Sequence, residues 1–369
     1  MKVKKITIHT VEMKLKSPFV TALGNVEKRE FLISEVEFEN GIVGWGECSA
    51  FSTPWYTEET IESCRYTLST FLIPTIMKQR IYQHPNDLRS IFNKYRGQHM
   101  AKSCMEMAFW DAFAKDQGMP LYKMLGGIKG DIDVGIAIGM QSNEGALLQK
   151  VEAAVEQGYK RIKVKIQPGS DIRTVQAIRN RFPYVPLMAD ANSSYTLNDL
   201  DYLKELDQYG LMMIEQPLGH RDFVDHAKLQ QHLSTPICLD ESISSLDDAK
   251  TAINLGSSKV IAIKMSRVGG PSESIRIHNF CMEHGVNVWA GGMLETGIGR
   301  AHNIAIATLE GFTIPGDISA SANYWSEDII DPEIIVEQGS IICSKQAGIG
   351  YDVSRIQIER YRTDMLTFE

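Results

Sequence analysis

An α/β chain built on a (β/α)8 barrel, with a second α+β unit beside it, is what this 369-residue sequence predicts. Three observations carry the expectation. From residue 134 onward, eight short apolar runs alternate with stretches of helical periodicity, the number that closes such a barrel. The runs show little polar alternation, as strands covered on both faces do. The first 125 residues lack this rhythm. An open, doubly wound sheet is the competing arrangement for the same alternation.

Taken in order, the chain starts with alternating charged and apolar residues over 3–13, the period of a β-strand. Residues 32–39 and 41–46 read as two further strands, joined through Asn40-Gly41, the signal of a tight hairpin. Helical patterns follow at 58–73, 86–95 and 102–116, the last stopped by Gly118-Met119-Pro120. The eight apolar runs are 134–139, 161–166, 186–191, 211–216, 236–241, 259–265, 286–291 and 311–317, with helical segments such as 143–157 and 197–209 between them. Beyond 317, strand-like pieces at 334–337 and 339–343 suggest a tail that packs back on the first unit. The expected division is 1–125, 126–318 and 319–369.

Composition narrows the function. The chain is 43% hydrophobic and 23% charged, ordinary for a globular protein. Its formal charge of −8 gives no electrostatic footprint for nucleic acid or an anionic membrane. No apolar stretch approaches the ~18 residues of a membrane span, and the basic start is not followed by a signal-peptide core. Six scattered cysteines without a Cys-x-x-Cys pair read as reduced, buried thiols, and the expected location is cytoplasmic. The histidines show no metal spacing; His220, His226 and His232 read as exposed. No phosphate-cradling glycine loop supports a nucleotide.

One spacing carries chemistry. Lys165, Asp190, Glu215, Asp240 and Lys264 end consecutive runs at separations of 25, 25, 25 and 24 residues. One strand–helix unit has about that length, so the five should stand at equivalent heights around the active-site mouth of a barrel. Three carboxylates without neighbouring His or Cys select a hard cation, Mg²⁺ with Mn²⁺ as an alternative. Lys163 shares a strand face with Lys165, and close cations beside a metal should lower one another's pKa toward the ~7–8 suited to a general base. Asn192 shares a face with Asp190 and Glu241 adjoins Asp240, making both candidate neighbours of the metal or substrate. A metal holding a substrate carboxylate would stabilise the enediolate formed when the adjacent carbon loses its proton. Lys165 and Lys264, on opposite sides of the mouth, could then serve its two faces.

Lys163-Val-Lys165, Asp190-Ala-Asn192, Glu215-Gln-Pro217, Asp240-Glu-Ser242 and Lys264, in this order, resemble the enolase superfamily in its muconate-lactonising-enzyme-like branch. The resemblance covers the whole chain, including Trp110-Asp111. It implies a modified (β/α)8 barrel under an α+β capping domain formed by the N-terminal region and the tail. The segment from Gly292 to Asn303, Pro315-Gly-Asp317-Ile-Ser319 and Tyr324-Trp325 are similar to the group of o-succinylbenzoate synthases that also racemise N-acylamino acids. By resemblance, Asp190, Glu215 and Asp240 bind Mg²⁺, and Lys165 and Lys264 are acid/base lysines in a menaquinone-pathway dehydration or a racemisation. A homo-oligomer is expected on the same ground.

Softer expectations concern the substrate. Segments 17–24, with Phe19, and 50–56, with Phe51 and Tyr56, read as loops able to close over the mouth. Backbone amides of Gly291, Gly292 and Met293 could hold a carboxylate, and Arg267 could modulate Lys264 electrostatically. The rivals are a dedicated N-acylamino acid racemase, a dipeptide epimerase and a non-catalytic barrel; the last would require loss of one of the five aligned residues.

Overall fold

In the computed structural model, which describes residues 1–21 and 24–369, the N-terminal unit is a four-stranded antiparallel sheet packed on helices. Its first two strands, Val3–Thr21 and Gly24–Phe38, are longer than alternation alone predicts. They pair from Val3 opposite Phe38 to Thr21 opposite Gly24. Segment 17–24 is therefore strand through Thr21, not loop; residues 22 and 23 lie outside the described residues. Pro18 is tolerated because the register shifts between Lys14 and Phe19, where a missing N–H breaks no regular ladder. The third strand is Val43–Cys48, after a turn in which Gly41 adopts φ +83°.

The helix His99–Asp116 is buried along most of its length because it lies between this sheet and the barrel. Gly44 and Gly46 let it approach: a Cβ at Gly46 would stand 2.1 Å from the Cys104 carbonyl oxygen. At its far end Asp111 accepts from Trp45 N at 2.9 Å and Ile349 N at 2.8 Å, joining cap and tail. The tail ends in the strand Arg362–Phe368, antiparallel to the first strand. Ser340–Ile342 pairs with Asp131–Asp133, whereas 334–337 forms no strand because Gln338 and Gly339 turn the chain at positive φ.

The second unit holds seven parallel strands, Gly135–Ile138, Arg161–Lys165, Leu187–Asp190, Ile214–Glu215, Ile237–Leu239, Val260–Ile263 and Asn287–Ala290, neighbours in sequence order. The eighth apolar run, 311–317, is not a regular strand. Pro315 has no N–H to give, yet the segment still joins the two edges: Gly135 N donates to Gly316 O at 2.7 Å and Asp317 N to Ala290 O at 2.8 Å. The ring closes through these bonds.

Arg161–Lys165 departs from the apolar pattern and alternates strictly. Ile162 and Val164 face the main core, while Arg161, Lys163 and Lys165 share the opposite face. That face is the barrel interior, where Trp289 lies under Arg161 and Lys163 at 4.7 and 5.0 Å from its ring centre. All six cysteines are free and buried, and among the described residues no helix is long and apolar enough to cross a membrane. His226 is also buried: its Nε2 accepts from Leu218 N at 3.1 Å, ordering the loop after Glu215, so its six-residue spacing from His220 has no surface meaning.

Candidate active site

The row of charged residues is brought together, but it is tilted rather than level. Lys165 pairs with Asp190, and Asp190 with Glu215. Glu215 then pairs with Cys238, leaving Asp240 two residues farther toward the mouth. Leu239 pairs with Ile261, so Lys264 steps up by two again. Each step is even, and every side chain therefore keeps the inward face. This stagger is the shear that closing a barrel demands. Three strands separate the strand of Lys165 from that of Lys264, half of an eight-position ring, so the two amines enter one cavity from opposite sides.

Salt bridges link the interior into one network. Lys165 Nζ lies 2.6 Å from Asp190 Oδ2, and Lys163 Nζ lies 3.0 Å from Glu215 Oε2, 3.5 Å from Asp190 Oδ2 and 2.5 Å from Asp317 Oδ2. Lys264 Nζ lies 2.8 Å from Asp240 Oδ2, whose other oxygen takes Arg267; Arg161 takes Asp317. Lys163, Lys165, Lys264, Arg161 and Arg267 thus stand directly against Asp190, Glu215, Asp240 and Asp317. The expected lowering is not found at Lys163. Burial pulls the Lys163 amine down, but Asp317, Glu215 and Asp190 together hold it well above the usual lysine value. Lys264 is likewise raised, with Asp240 outweighing burial and the neighbouring cations. Opposite charges at contact distance dominate here.

Among the described residues no three His, Cys, Asp or Glu side chains already converge as a metal cage, because the carboxylates are turned onto these bases. The donor set nonetheless fits a hard divalent cation. It is carboxylate oxygen only, fully buried, and Glu215 Oε1 has no hydrogen-bond partner. Burial, and then the Asp190 carboxylate, push Glu215 well above the usual range, as expected of acids crowded together in a buried site. Glu241, which accepts from Asn192 Nδ2 at 2.9 Å, is pushed up to about 7 by burial and then by Asp240. Asn192 Oδ1 accepts from Lys165 Nζ at 2.6 Å, so Asn192 ties that lysine to Glu241.

The cap supplies the roof. Phe19, Phe51, Trp55 and Tyr56 line the cavity together with Lys163, Lys165, Lys264, Gly292 and Met293. Tyr56 donates to Asp240 Oδ2 at 3.1 Å while its oxygen accepts from Lys264 Nζ at 2.9 Å and Arg267 Nη1 at 2.7 Å. The loop expectation for 50–56 holds in position, and that for Gly291 changes meaning. Its N–H is spent on Ile263 O at 3.0 Å, and a Cβ there would meet Lys264 Cγ at 2.7 Å. Gly291 makes room for the lysine rather than binding a carboxylate.

Sequence reasoning did not assign Trp55, Arg161, Asp317 or Gln216 to the site. Asp317 ends the eighth run, and its place in the unit rhythm was the available signal. Gln216, at φ +39°, clamps the next strand: its Oε1 accepts from Asp240 N at 3.0 Å and Ser242 N at 3.2 Å.

Comparison with known proteins gives the family of this fold. The family described as mandelate racemase / muconate lactonizing enzyme, N-terminal domain, matches residues 3–126, and enolase C-terminal domain-like matches 146–357. The chain is 50% identical to o-succinylbenzoate synthase of Bacillus subtilis (strain 168), covering 100% of this chain and 99% of that protein. It is 42% identical to N-succinylamino acid racemase of Thermus thermophilus, covering 98% and 97%. A solved enolase-superfamily structure from Listeria innocua superposes with a TM-score of 0.96 at 44% identity, covering 100% and 99%. The chain belongs to the mandelate racemase / muconate lactonizing enzyme family of the enolase superfamily.

Proposed function

We propose that this chain is a Mg²⁺-dependent o-succinylbenzoate synthase, dehydrating 2-succinyl-6-hydroxy-2,4-cyclohexadiene-1-carboxylate on the route to menaquinone, and that the same cavity racemises N-succinylamino acids. The observation that carries the reading is the pair Lys165 and Lys264, aimed into one roofed cavity from opposite sides above buried carboxylates. Names of full-length relatives at 50% and 42% identity supply the two reactions. The enzyme works in the cytoplasm on a small carboxylate as a homo-oligomer; these points rest on the biosynthetic role and on family resemblance.

Asp190, Glu215 and Asp240 would hold Mg²⁺, with Mn²⁺ as an alternative. Bound there, it supplies positive charge beside the substrate carboxylate and lowers the cost of the second negative charge that proton loss creates. In the dehydration, Lys165 is the base that takes the proton from the carbon next to the carboxylate, and the electron pair moves into that carboxylate. Collapse of the pair expels the β-hydroxyl, which leaves as water with the proton Lys165 took. Lys264 stays protonated throughout and faces the developing charge. In racemisation one lysine removes the proton and the other returns one to the opposite face, so base and acid exchange roles between enantiomers. Asn192 positions Lys165, and Arg267 positions Asp240 and Tyr56, the two partners of Lys264. The aromatic roof excludes water from the carbanion-like intermediate.

The test is kcat/KM for the dehydration precursor and for N-succinylamino acids, measured after chelation and again with Mg²⁺ restored. Metal-dependent turnover of both supports the reading. Near-zero turnover of the precursor beside efficient racemisation would make the chain a dedicated racemase, and turnover of dipeptides alone an epimerase.

A further inference from the structure

We infer that Arg300 forms a subsite for the second, distal carboxylate of a dicarboxylate substrate. The inference rests on the reading above, in which both substrates carry a succinyl group. Arg300 sits in the first turn of the helix Gly297–Ala307 and is only 2% exposed, yet its side chain lines the cavity beside Glu295 and Tyr324. A guanidinium has five N–H donors and no way to shed its charge. Arg300 spends them thinly: Nη2 donates to Glu295 O at 2.8 Å, Nη1 reaches Ser321 Oγ at 3.4 Å, and the group stands 5.3 Å from the centre of the Tyr324 ring. It forms no ion pair with any described carboxylate.

The other buried guanidiniums show what is unusual. Arg161 is paired with Asp317, and Arg267 with Asp240. Arg29 has no carboxylate either, but it is sealed among the carbonyls of Ser49 and Ala50 and does not line the cavity. Glu295 lines the same cavity but makes no direct ion pair with Arg300, its Oε1 accepting from Asn303 Nδ2 at 2.9 Å, and Asp328 is reached only through Ser321 Oγ. The adjacent helix N-terminus cannot take an anion in its place. Thr296 N and Gly299 N donate to Glu47, Gly297 N to Asp328, and Ile298 N to Thr296 Oγ1. A buried guanidinium without a direct ion pair leaves donors to spare, and a carboxylate entering the cavity can take them in a charge-assisted, bidentate contact. The carboxylate next to the reacting carbon would be met by Lys165, Lys264 and the metal that Asp190, Glu215 and Asp240 would hold, so Arg300 is left for the far one.

The experiment compares an N-succinylamino acid with its N-butyryl analogue, in which a methyl group replaces the distal carboxylate. Wild-type enzyme should prefer the succinyl compound by roughly 100-fold in kcat/KM. In Arg300→Met the loss should be roughly 30-fold greater for the succinyl than for the butyryl substrate, whereas a purely structural role would reduce both alike. Arg300→Lys, which keeps the charge but not the fork, should retain a reduced preference. If Arg300→Met does not fold, the wild type and Arg300→Lys decide. A wild type indifferent to the distal carboxylate, or a preference untouched by lysine, overturns the inference. Failure of the underlying reading looks different: the wild type then processes neither acylamino acid nor the dehydration precursor, and both conclusions fall.

Discussion

The barrel interior and the cap roof meet at one cavity but are built from opposite materials. The barrel contributes charge: Lys163, Lys165, Lys264, Arg267 and their carboxylates, nearly all buried and cross-linked by salt bridges, on short, ladder-bonded strands or in the first residues after them. The cap contributes area: Phe19 from the first strand, and Phe51, Trp55 and Tyr56 from a connection, whose three rings pack on one another, tilted or edge to face, at centroid distances of 4.5 to 6.0 Å. Charged groups in a low-dielectric interior need fixed partners to remain where chemistry requires them. Apolar contacts tolerate exchange of one shape for another. The division therefore assigns reaction type to the barrel and substrate choice to the cap, with Tyr56 the one roof residue that hydrogen-bonds into the charged network.

The strongest challenge to that division is Lys165→Ala, expected to lower both dehydration and racemisation by ~10³-fold or more. Steady-state assays of the folded variant decide it; substantial residual turnover would remove the assigned base. Arg267→Gln is next. Arg267 shares Asp240 and Tyr56 with Lys264, and only racemisation asks Lys264 to transfer a proton. Racemisation should fall by ~10–100-fold, and by more than dehydration; equal loss in the two assays would assign Arg267 a general structural role. A roof substitution, Trp55→Ala, should raise KM by ~10-fold and alter the ranking of N-acyl substrates while leaving the same chemistry in place. A pure loss of kcat with unchanged ranking would contradict the separation.

The smallest expected effect is on stability at the seam. Glu47, from the cap, accepts from Thr296 Oγ1 at 2.5 Å and Gly299 N at 2.9 Å and so caps a barrel helix. Burial above all pushes its carboxyl up to about 8. A raised acid holds its proton longer folded than unfolded, so stability falls as pH rises from the unfolded value of ~4.3 through about 8. Glu47→Gln should flatten that part of the curve. Urea titrations of both proteins at pH 5 and pH 8 check it; parallel pH dependence would show that other buried acids, such as Glu106, are responsible.

What the sequence revealed follows the same division. The 25-residue spacing of Lys165, Asp190, Glu215 and Asp240 was readable because parallel strands repeat with a nearly constant strand–helix unit. Their register steps were not, since shear depends on ring closure rather than on local pattern. The roof was legible only as aromatic, Gly- and Pro-containing segments. Ser17-Pro18 resembled a turn, whereas long-range pairing of Phe19 with Val26 makes it strand. The last strand, Arg362–Phe368, owes its conformation to pairing with residues more than 350 positions away. Arg161 and Asp317 were hidden for a related reason: each looks like an ordinary charge until the eighth segment closes the ring and places them together.

The central claim is that one pair of opposed lysines serves both reactions. Its most direct test is exchange of the α-proton of each N-succinylamino acid enantiomer in D₂O, followed by NMR, for Lys165→Ala and Lys264→Ala. If the lysines stand on opposite faces, each variant exchanges one enantiomer only, and the two variants differ in which. Exchange of both enantiomers by either single variant would contradict the account.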